Sequence, residues 1–474
     1  MGKKRSFIKD LFVVGIGNIF VLIASILVGL VVPKLMGVTN YGYYQIFTLY
    51  MTYTALLHVG FIDGILLVHG GQSYDEIDKR QFRLNTKFFT VFQAIVSLLV
   101  VIIAVFFMHG IYRFIFIMVG FDTYVTNITK YYQFVSQCTM RFKEWSLRKV
   151  IQAALKIVVV VLLLIMHRMG YLDAVSCKLF TSSIVIIDTL LLLWYVYTYR
   201  EITFGETLPF RNNWDKVNIY FKCGIAMTIA FEISSLIFSL DRQFVSVLFD
   251  TDTYGIYSFA YRLISMVTTV VGAVSTVLFP NLKRKPKEQI LDTFDSNMAL
   301  LSIVVFAALI GYYPLCRFIK FFLSDYTQSL VYFRILFPGI ALTSCINAII
   351  FNYYKVLNKN LLYFGICCCV FVFAAGSNYL LYLIMHTPES FSIASIITLF
   401  VWYTASESYL VKKYSVKWAK NLFFIMVSMT AFYICTTIIP ESLMGMLVYG
   451  SIFVLVTLLF YWDLIKKNLR KISR

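Results

Sequence analysis

Polar and ionisable side chains interrupt several long apolar stretches of this chain, and their spacing puts them on single helical faces. In one stretch Glu232, Ser239 and Arg242 share an arc of roughly 80° when successive residues turn by about 100°. Ionisable groups are expensive to bury inside an apolar helix, so such a face is expected to line a bundle interior or a watery path. The pattern therefore predicts a binding site for a polar ligand inside a helical bundle.

Two other apolar stretches carry the same kind of face. Lys130, Gln133 and Gln137 follow one side of an earlier helix, and Lys130 lies near the middle of that helix, too deep to reach the membrane surface easily. Arg262 and Ser265 share a narrow arc on a later helix. We interpret the three faces as the lining of one hydrated cavity. The alternative, in which small polar residues line helix contacts and each charge pairs with a neighbouring charge, stays open.

The charge balance of the predicted cavity favours an anion. The predicted cations are Lys130, Arg242, Arg262 and Arg334, and the predicted carboxylates are Glu232 and Asp63. A guanidinium group matches two phosphate oxygens at once, and an ammonium group binds phosphate as a point charge. An anionic substrate, and a phosphate group in particular, is therefore predicted. The further polar residues predicted to contact the substrate are Gln133, Gln137, Ser239 and Ser265.

Asp63 lies between two glycines in the segment Gly60-Phe61-Ile62-Asp63-Gly64. Glycines beside a carboxylate permit close approach of helices or local unwinding. A gate or cation site and a packed turn are equally compatible with this segment. Asp63 and Glu232 are the residues we expect to serve in gating or coupling.

Several classes of chemistry have no support in the sequence. It contains no Walker motif, no dinucleotide-binding loop and no HExxH segment, and its nine cysteines show no metal-ligand spacing. No catalytic residue, metal or cofactor is therefore expected. Energy must come from an ion gradient or from coupled synthesis, and the sequence does not separate protons from sodium ions.

The composition defines the elements that must position these residues. The chain is 60% hydrophobic and only 14% charged, with a mean hydropathy of +0.78. Since one membrane span needs about 20 apolar residues, an all-α protein with about fourteen membrane-spanning helices is predicted. The predicted spans lie near 11–32, 43–67, 88–108, 112–138, 150–167, 172–197, 220–246, 254–280, 293–312, 329–353, 361–385, 391–410, 420–439 and 443–463.

The distribution of basic residues tests this arrangement. With the N-terminus inside, the inner segments hold 31 of the 42 lysines and arginines, as the positive-inside rule requires. Both termini are therefore predicted to be cytoplasmic. The formal net charge of +18 belongs to short loops and not to a folded basic surface, so nucleic acid is not an expected partner.

A short repeat relates the two halves of the chain. The pattern Tyr-Gly-x-Tyr occurs at Tyr41–Tyr44 and again at Tyr254–Tyr257, each time on the predicted outer side before an even-numbered span. Unless this match is chance, it indicates a parallel repeat of six helices. The predicted domains are an N-terminal lobe at 1–198, a cytoplasmic linker at 199–219, a C-terminal lobe at 220–411, and two extra helices with a cytoplasmic tail at 412–474.

The sequence resembles the polysaccharide and O-antigen flippases of the multidrug, oligosaccharidyl-lipid and polysaccharide exporter superfamily. The resemblance is carried by Val32-Pro33-Lys34-Leu35-Met36-Gly37, Tyr41-Gly42, Gly60 to Gly64, Asp241-Arg242, Asp252 and Tyr254-Gly255-Ile256-Tyr257. It implies two six-helix lobes that open alternately to the two sides of a bacterial inner membrane. It also implies a polyprenyl-diphosphate-linked oligosaccharide as cargo for surface polysaccharide synthesis, with polymerases and glycosyltransferases as partners and a monomeric state. The cavity cations would then hold the diphosphate.

Two other functions remain as alternatives. A cation-coupled multidrug antiporter of the same superfamily would favour carboxylates in an apolar cavity, whereas the predicted cavity is rich in cations. A membrane enzyme that polymerises or ligates the same glycans would need a large outer loop, whereas the longest predicted outer connection runs from about Tyr313 to Gln328. The flippase is therefore the function that the sequence favours.

Overall fold

The computed structural model describes residues 2–283, 291, 293–357, 359–414, 416, 418–440 and 442–472. Within those ranges the chain is helical and forms no strand. It divides into two compact units, Met1–Leu236 and Ile237–Arg474. The lobe boundaries expected from the sequence stay predictions.

The first unit contains the N-terminal helices. They are α1 (Gly2–Tyr53), α2 (Phe61–His69), α3 (Lys79–Phe107), α4 (Gly110–Cys138), α5 (Phe142–Arg168), α6 (Cys177–Thr198), the short α7 (Arg200–Thr203) and α8 (Trp214–Ile237). A 3₁₀ turn, Thr54–His58, joins α1 to α2.

The second unit contains the remaining helices. They are α9 (Leu240–Leu248), α10 (Thr251–Lys283), α11 (Phe294–Ala308), α12 (Tyr312–Phe322), α13 (Ser329–Leu336), α14 (Gly339–Ser344), α15 (Phe351–Val356), α16 (Asn360–Met385), α17 (Glu389–Tyr414), α18 (Ala419–Ile438) and α19 (Leu443–Ile472). A π-helical turn, Cys345–Ile350, joins α14 to α15.

The predicted all-α membrane fold is confirmed. Each of the fourteen predicted spans overlaps one helix or consecutive helices, and α1 carries both the first span and the start of the second. Among the described residues, nine helical segments are long and apolar enough to cross a membrane, and a tenth is counted if the pair Ser329–Leu336 and Gly339–Val356 forms one span bent by 50°. Helix α4 is not among the nine, because Asp122, Lys130 and other polar residues lower its hydropathy.

Two glycines break the helical backbone, one between the first two predicted spans and one within the second. Gly37 breaks the long helix α1 with φ 68° and ψ 172°, and Gly60 starts α2 with φ 84°. Both lie in the left-handed half of backbone space, which glycine enters without steric cost. The second predicted span is therefore composed of the end of α1, a 3₁₀ turn and α2, so that Asp63 lies in the first turn of a new helix.

Helices α2 and α8 cross with their backbones in direct contact. A methyl group added to Gly60 would overlap the backbone of Ile225, and one added to Gly64 would overlap the backbone of Tyr220. On the α8 side, a methyl group on Gly224 would overlap the backbone of Gly60. Small residues permit this close approach of membrane helices, and at this crossing only glycine fits.

Aromatic side chains form the core around this crossing. Phe61 of α2 is fully buried and stacks on Phe89 of α3, with ring centroids 4.9 Å apart and planes at 5°. Tyr131 of α4 and Tyr220 of α8 contact the same Phe61 ring from other sides, at 6.5 and 5.5 Å between centroids. Packed rings of this kind are rigid, so they fix the relative positions of four helices.

The crossing predicts that replacing glycine by alanine changes the stability of the protein differently at two helical positions. Gly224→Ala should lower the thermal unfolding midpoint of the purified protein, since overpacking costs about 1–3 kcal/mol. Gly376→Ala in α16 meets no atom within 4 Å and should be neutral or stabilising, because alanine favours a helix by about 1 kcal/mol over glycine. A Gly224→Ala midpoint at or above that of the wild type would contradict the crossing.

Candidate substrate site

Lys130 lies about two turns before the C-terminal end of α4, with its side chain half-buried. Its ammonium group interacts electrostatically with Glu232, Asp63 and Asp122. Among the described residues, however, none accepts a hydrogen bond from this ammonium group or forms an ion pair with it within 4 Å. The lysine is therefore balanced by carboxylates at a distance, and its hydrogen-bonding positions are available to a ligand.

The crossing of α2 and α8 positions both nearer carboxylates. Asp63 accepts a hydrogen bond from the hydroxyl of Thr228 on α8. Glu232 follows Thr228 by four residues, which places it one turn further along the same face of α8. Asp63 and Glu232 also interact electrostatically with each other. The structure thus brings together three of the residues that the sequence predicts as site residues, on three different helices.

Two glutamines extend this polar face along α4. Gln133 and Gln137 are half-buried, and among the described residues neither side-chain amide has a hydrogen-bond partner. Each amide offers two N–H donors and one carbonyl acceptor. Together with Lys130 they form a row of groups that suits phosphate oxygens and sugar hydroxyls.

Two residues of this cluster were not among the site residues predicted from the sequence. Asp122 is 3% exposed and accepts a hydrogen bond from Thr126, and one of its carboxylate oxygens has no hydrogen-bond partner in the part of the chain that the structure describes. His58 is buried in the 3₁₀ turn before α2 and interacts electrostatically with Lys130. The spacing of Asp122, Thr126 and Lys130 at intervals of four could have revealed the aspartate, because it continues the predicted face by two turns.

Asp122 also connects the cluster to the next pair of helices. It interacts electrostatically with Asp188 of α6 and with Lys156 of α5. Asp188 in turn accepts a hydrogen bond of 2.6 Å from the side chain of Gln152 on α5. Ionisable groups therefore continue from the Lys130 cluster across α4 to α5 and α6.

The other predicted cations lie in the second unit. Arg242 is in α9, and its guanidinium carbon lies 4.9 Å from the centre of the Tyr261 ring; among the described residues its buried Nε has no hydrogen-bond partner. Arg262 is in α10, where its carbonyl accepts a hydrogen bond of 2.7 Å from Ser265. Arg334 is half-buried in the last turn of α13. A single cavity shared by these arginines and Lys130 remains a prediction.

Ser239 and Asp241 lie at the start of α9. Ser239 is fully buried at the N-cap position. The carboxylate of Asp241 accepts hydrogen bonds from Tyr257 at 2.8 Å, from Ser395 at 2.8 Å and from Tyr261. Asp241 therefore ties α9 to α10 and α17, whereas the neighbouring Arg242 stacks on Tyr261.

Besides Asp122 and Asp241, a third carboxylate is buried, and it lies in the second unit. It was not among the site residues predicted from the sequence. Glu407 of α17 is 2% exposed and accepts a hydrogen bond of 3.0 Å from Tyr403 one turn earlier. Within the described residues no group of three or more His, Cys, Asp or Glu side chains is arranged to hold a metal ion.

The fold is that of a helical, multi-pass membrane protein, and comparison with known proteins identifies its family. Residues 16–331 match the family described as polysaccharide biosynthesis protein, which covers more than half of the chain. The chain belongs to this family. The resemblance to polysaccharide-synthesis proteins drawn from the sequence is thereby confirmed at the level of this family. No curated protein sequence matches it significantly.

Solved structures of several membrane proteins share the fold. The inward-closed structure of the lipid II flippase MurJ matches with a TM-score of 0.73 at 13% identity, over 96% of this chain and 100% of MurJ. An inward-facing multidrug resistance transporter of the MATE family matches with a TM-score of 0.58 at 12% identity, over 87% and 96%. A mutant of the Vibrio cholerae MATE transporter VcmN matches with a TM-score of 0.55 at 12% identity, over 87% and 99%. At these identities the likeness shows the fold alone.

The hydrogen bond between Thr228 and Asp63 predicts unequal effects of two conservative changes. Thr228→Val keeps the shape of the side chain but removes the donor, and a lost hydrogen bond to a charged group costs about 1.5–3 kcal/mol. Thr228→Ser loses a methyl group and keeps the donor. The thermal unfolding midpoint should therefore fall further in Thr228→Val. Equal falls, or a larger fall in Thr228→Ser, would mean that packing and not the hydrogen bond holds the two helices at this point.

Proposed function

We propose that the chain is a flippase that moves a polyprenyl-diphosphate-linked oligosaccharide from the cytoplasmic to the outer leaflet of the cell membrane. The observation that carries the proposal is Lys130, a cation deep in a membrane helix with no direct partner among the described residues. A buried charge is costly unless something compensates it. A buried lysine is compensated in this way if the site binds an anionic ligand during part of a transport cycle.

The surroundings of Lys130 support a diphosphate joined to a sugar. The ammonium group would bind phosphate oxygens as a point charge, and Gln133 and Gln137 would hydrogen-bond to phosphate or to sugar hydroxyls. Arg242, Arg262 and Arg334 would supply further cations if the two units enclose a common cavity. Membership of a polysaccharide biosynthesis family supports a glycan as the cargo.

The carboxylates suggest how the empty carrier stays stable. Without a ligand, Asp63 and Glu232 balance Lys130 at a distance. A bound diphosphate would compete with them for the lysine. We propose that Asp63 and Glu232 act in coupling or gating, with either protons or sodium ions as the coupling ion.

The proposed membrane arrangement follows the distribution of basic residues. The protein lies in the bacterial inner membrane with both termini in the cytoplasm and works as a monomer alongside polymerases and glycosyltransferases. Its cargo would enter from the cytoplasmic side, where these lipid-linked units are expected to be built.

A cation-coupled drug antiporter is the second candidate. The carboxylates Asp63, Glu232 and Asp122 around Lys130 favour it, since carboxylates attract organic cations and bind coupling ions. The match to MATE transporter folds is compatible with both functions. A membrane polymerase or ligase has no such supporting feature.

Export of surface glycan in the native host tests the role of the cations. Lys130→Ala and Arg262→Ala should abolish export while the protein stays in the membrane, because each removes a charge that holds the diphosphate. Lys130→Arg should keep part of the export. Lectin or antiserum binding to intact cells measures the glycan, and immunoblotting of membranes measures the protein.

A matched control uses a lysine outside the cluster. Lys178 is exposed in the first turn of α6, so Lys178→Ala should export as the wild type does. Wild-type export in both Lys130→Ala and Arg262→Ala would refute the diphosphate site.

Reconstitution in liposomes separates the two candidate functions. With a labelled polyprenyl-diphosphate oligosaccharide in the membrane, the protein should make the label accessible on the far side, and Lys130→Ala should not. In a second assay, the movement of fluorescent organic cations across the same membrane is measured under a proton or sodium gradient. Movement of the cations without movement of the lipid-linked sugar would favour the antiporter.

A further inference from the structure

Helices α16 and α17 enclose an apolar groove in the second unit. Its volume is about 940 Å³, and its walls include Leu361, Gly365, Phe373 and Val401. Leu361 is 79% exposed and Phe373 is 41% exposed. On a membrane-spanning pair of helices, exposed apolar side chains face lipid. The groove is therefore a recess in the lipid-facing surface.

A glycine leaves space in the wall of this recess. Gly365 is exposed, and a methyl group added to it would meet no atom within 4 Å. Four residues later Cys369 lines the groove as well, so the same face of α16 presents small side chains on successive turns. These small residues leave a gap between larger apolar neighbours.

One end of the groove carries a positive charge. Lys359, just before α16, is the single charged residue among the described residues that line it. Lysines at helix ends reach the interface and attract the phosphates of anionic lipids. The segment around Lys359 is cytoplasmic in the predicted orientation, so the charge would lie at the inner membrane surface.

The length of the groove matches one leaflet. Fourteen residues separate Lys359 from Phe373, which corresponds to about 21 Å of helix. Half of the hydrocarbon core is about 15 Å thick, and the headgroup region adds several ångströms. The groove therefore extends from the inner surface to about the middle of the membrane.

We propose that this groove binds one anionic glycerophospholipid of the cytoplasmic leaflet, with its phosphate at Lys359 and an acyl chain along Gly365 and Phe373. A single lysine suits the single negative charge of a phosphodiester better than a diphosphate. The depth of one leaflet suits an acyl chain. This lipid is thus a resident of the protein surface, distinct from the proposed cargo.

Photo-cross-linking of the full-length protein tests the lipid site. The protein is reconstituted in vesicles that contain phosphatidylglycerol with a diazirine on one acyl chain, and cross-linked peptides are located by mass spectrometry. Cross-links should concentrate between Leu361 and Phe373. Gly365→Phe should abolish them by filling the groove, and Lys359→Glu should reduce them at least about fivefold, the effect expected of one basic residue at an anionic surface.

Matched variants control for general disturbance. Gly376→Phe adds the same side chain to the same helix at a position that is also open but outside the groove. Lys413→Glu reverses an exposed charge at the inner end of α17. Both should cross-link as the wild type does. Equal labelling of all variants, or equal labelling by photoactivatable phosphatidylcholine, would overturn the proposal and indicate ordinary surrounding lipid. Neither result depends on whether a lipid-linked sugar is transported.

Discussion

The contact between the backbones of α2 and α8 is the constraint on which the candidate site depends. Gly60, Gly64 and Gly224 leave no room for a side chain where the two helices cross. A larger residue would separate the helices and move Asp63 and Thr228 apart. The crossing therefore does more than pack the first unit: it holds Asp63 of α2 against Thr228 of α8, one turn from Glu232.

The electrostatics of the site follow from that placement. Lys130 interacts with several carboxylates, yet none of the described ones is close enough to form a direct ion pair. A direct buried pair would satisfy the lysine and leave a ligand little to gain, whereas a completely isolated charge would be costly. The observed arrangement lies between these limits. It would allow an anion to bind and to leave, which is what a carrier requires.

Much of the fold could be predicted because its causes are local. Apolar stretches of span length and the excess of basic residues in alternate loops define the helices, and a spacing of three and four residues placed Lys130 and Gln133 on one face. The crossing could not be predicted, because Gly60 and Gly224 are far apart in sequence and nothing local pairs them. The groove between α16 and α17 likewise depends on how two helices pack. Asp122 could have been predicted, since its spacing places it on the same face of α4 as Lys130.

The most direct test of the account is the affinity of the purified protein for a short prenyl diphosphate. Geranyl diphosphate carries the proposed headgroup chemistry without a sugar or a long tail, and isothermal titration calorimetry in detergent gives its Kd. The account predicts that the wild type binds it and that Lys130→Met binds at least about tenfold more weakly, a loss of ~1.4 kcal/mol. Equal affinity of the two proteins would contradict the claim that Lys130 holds the diphosphate.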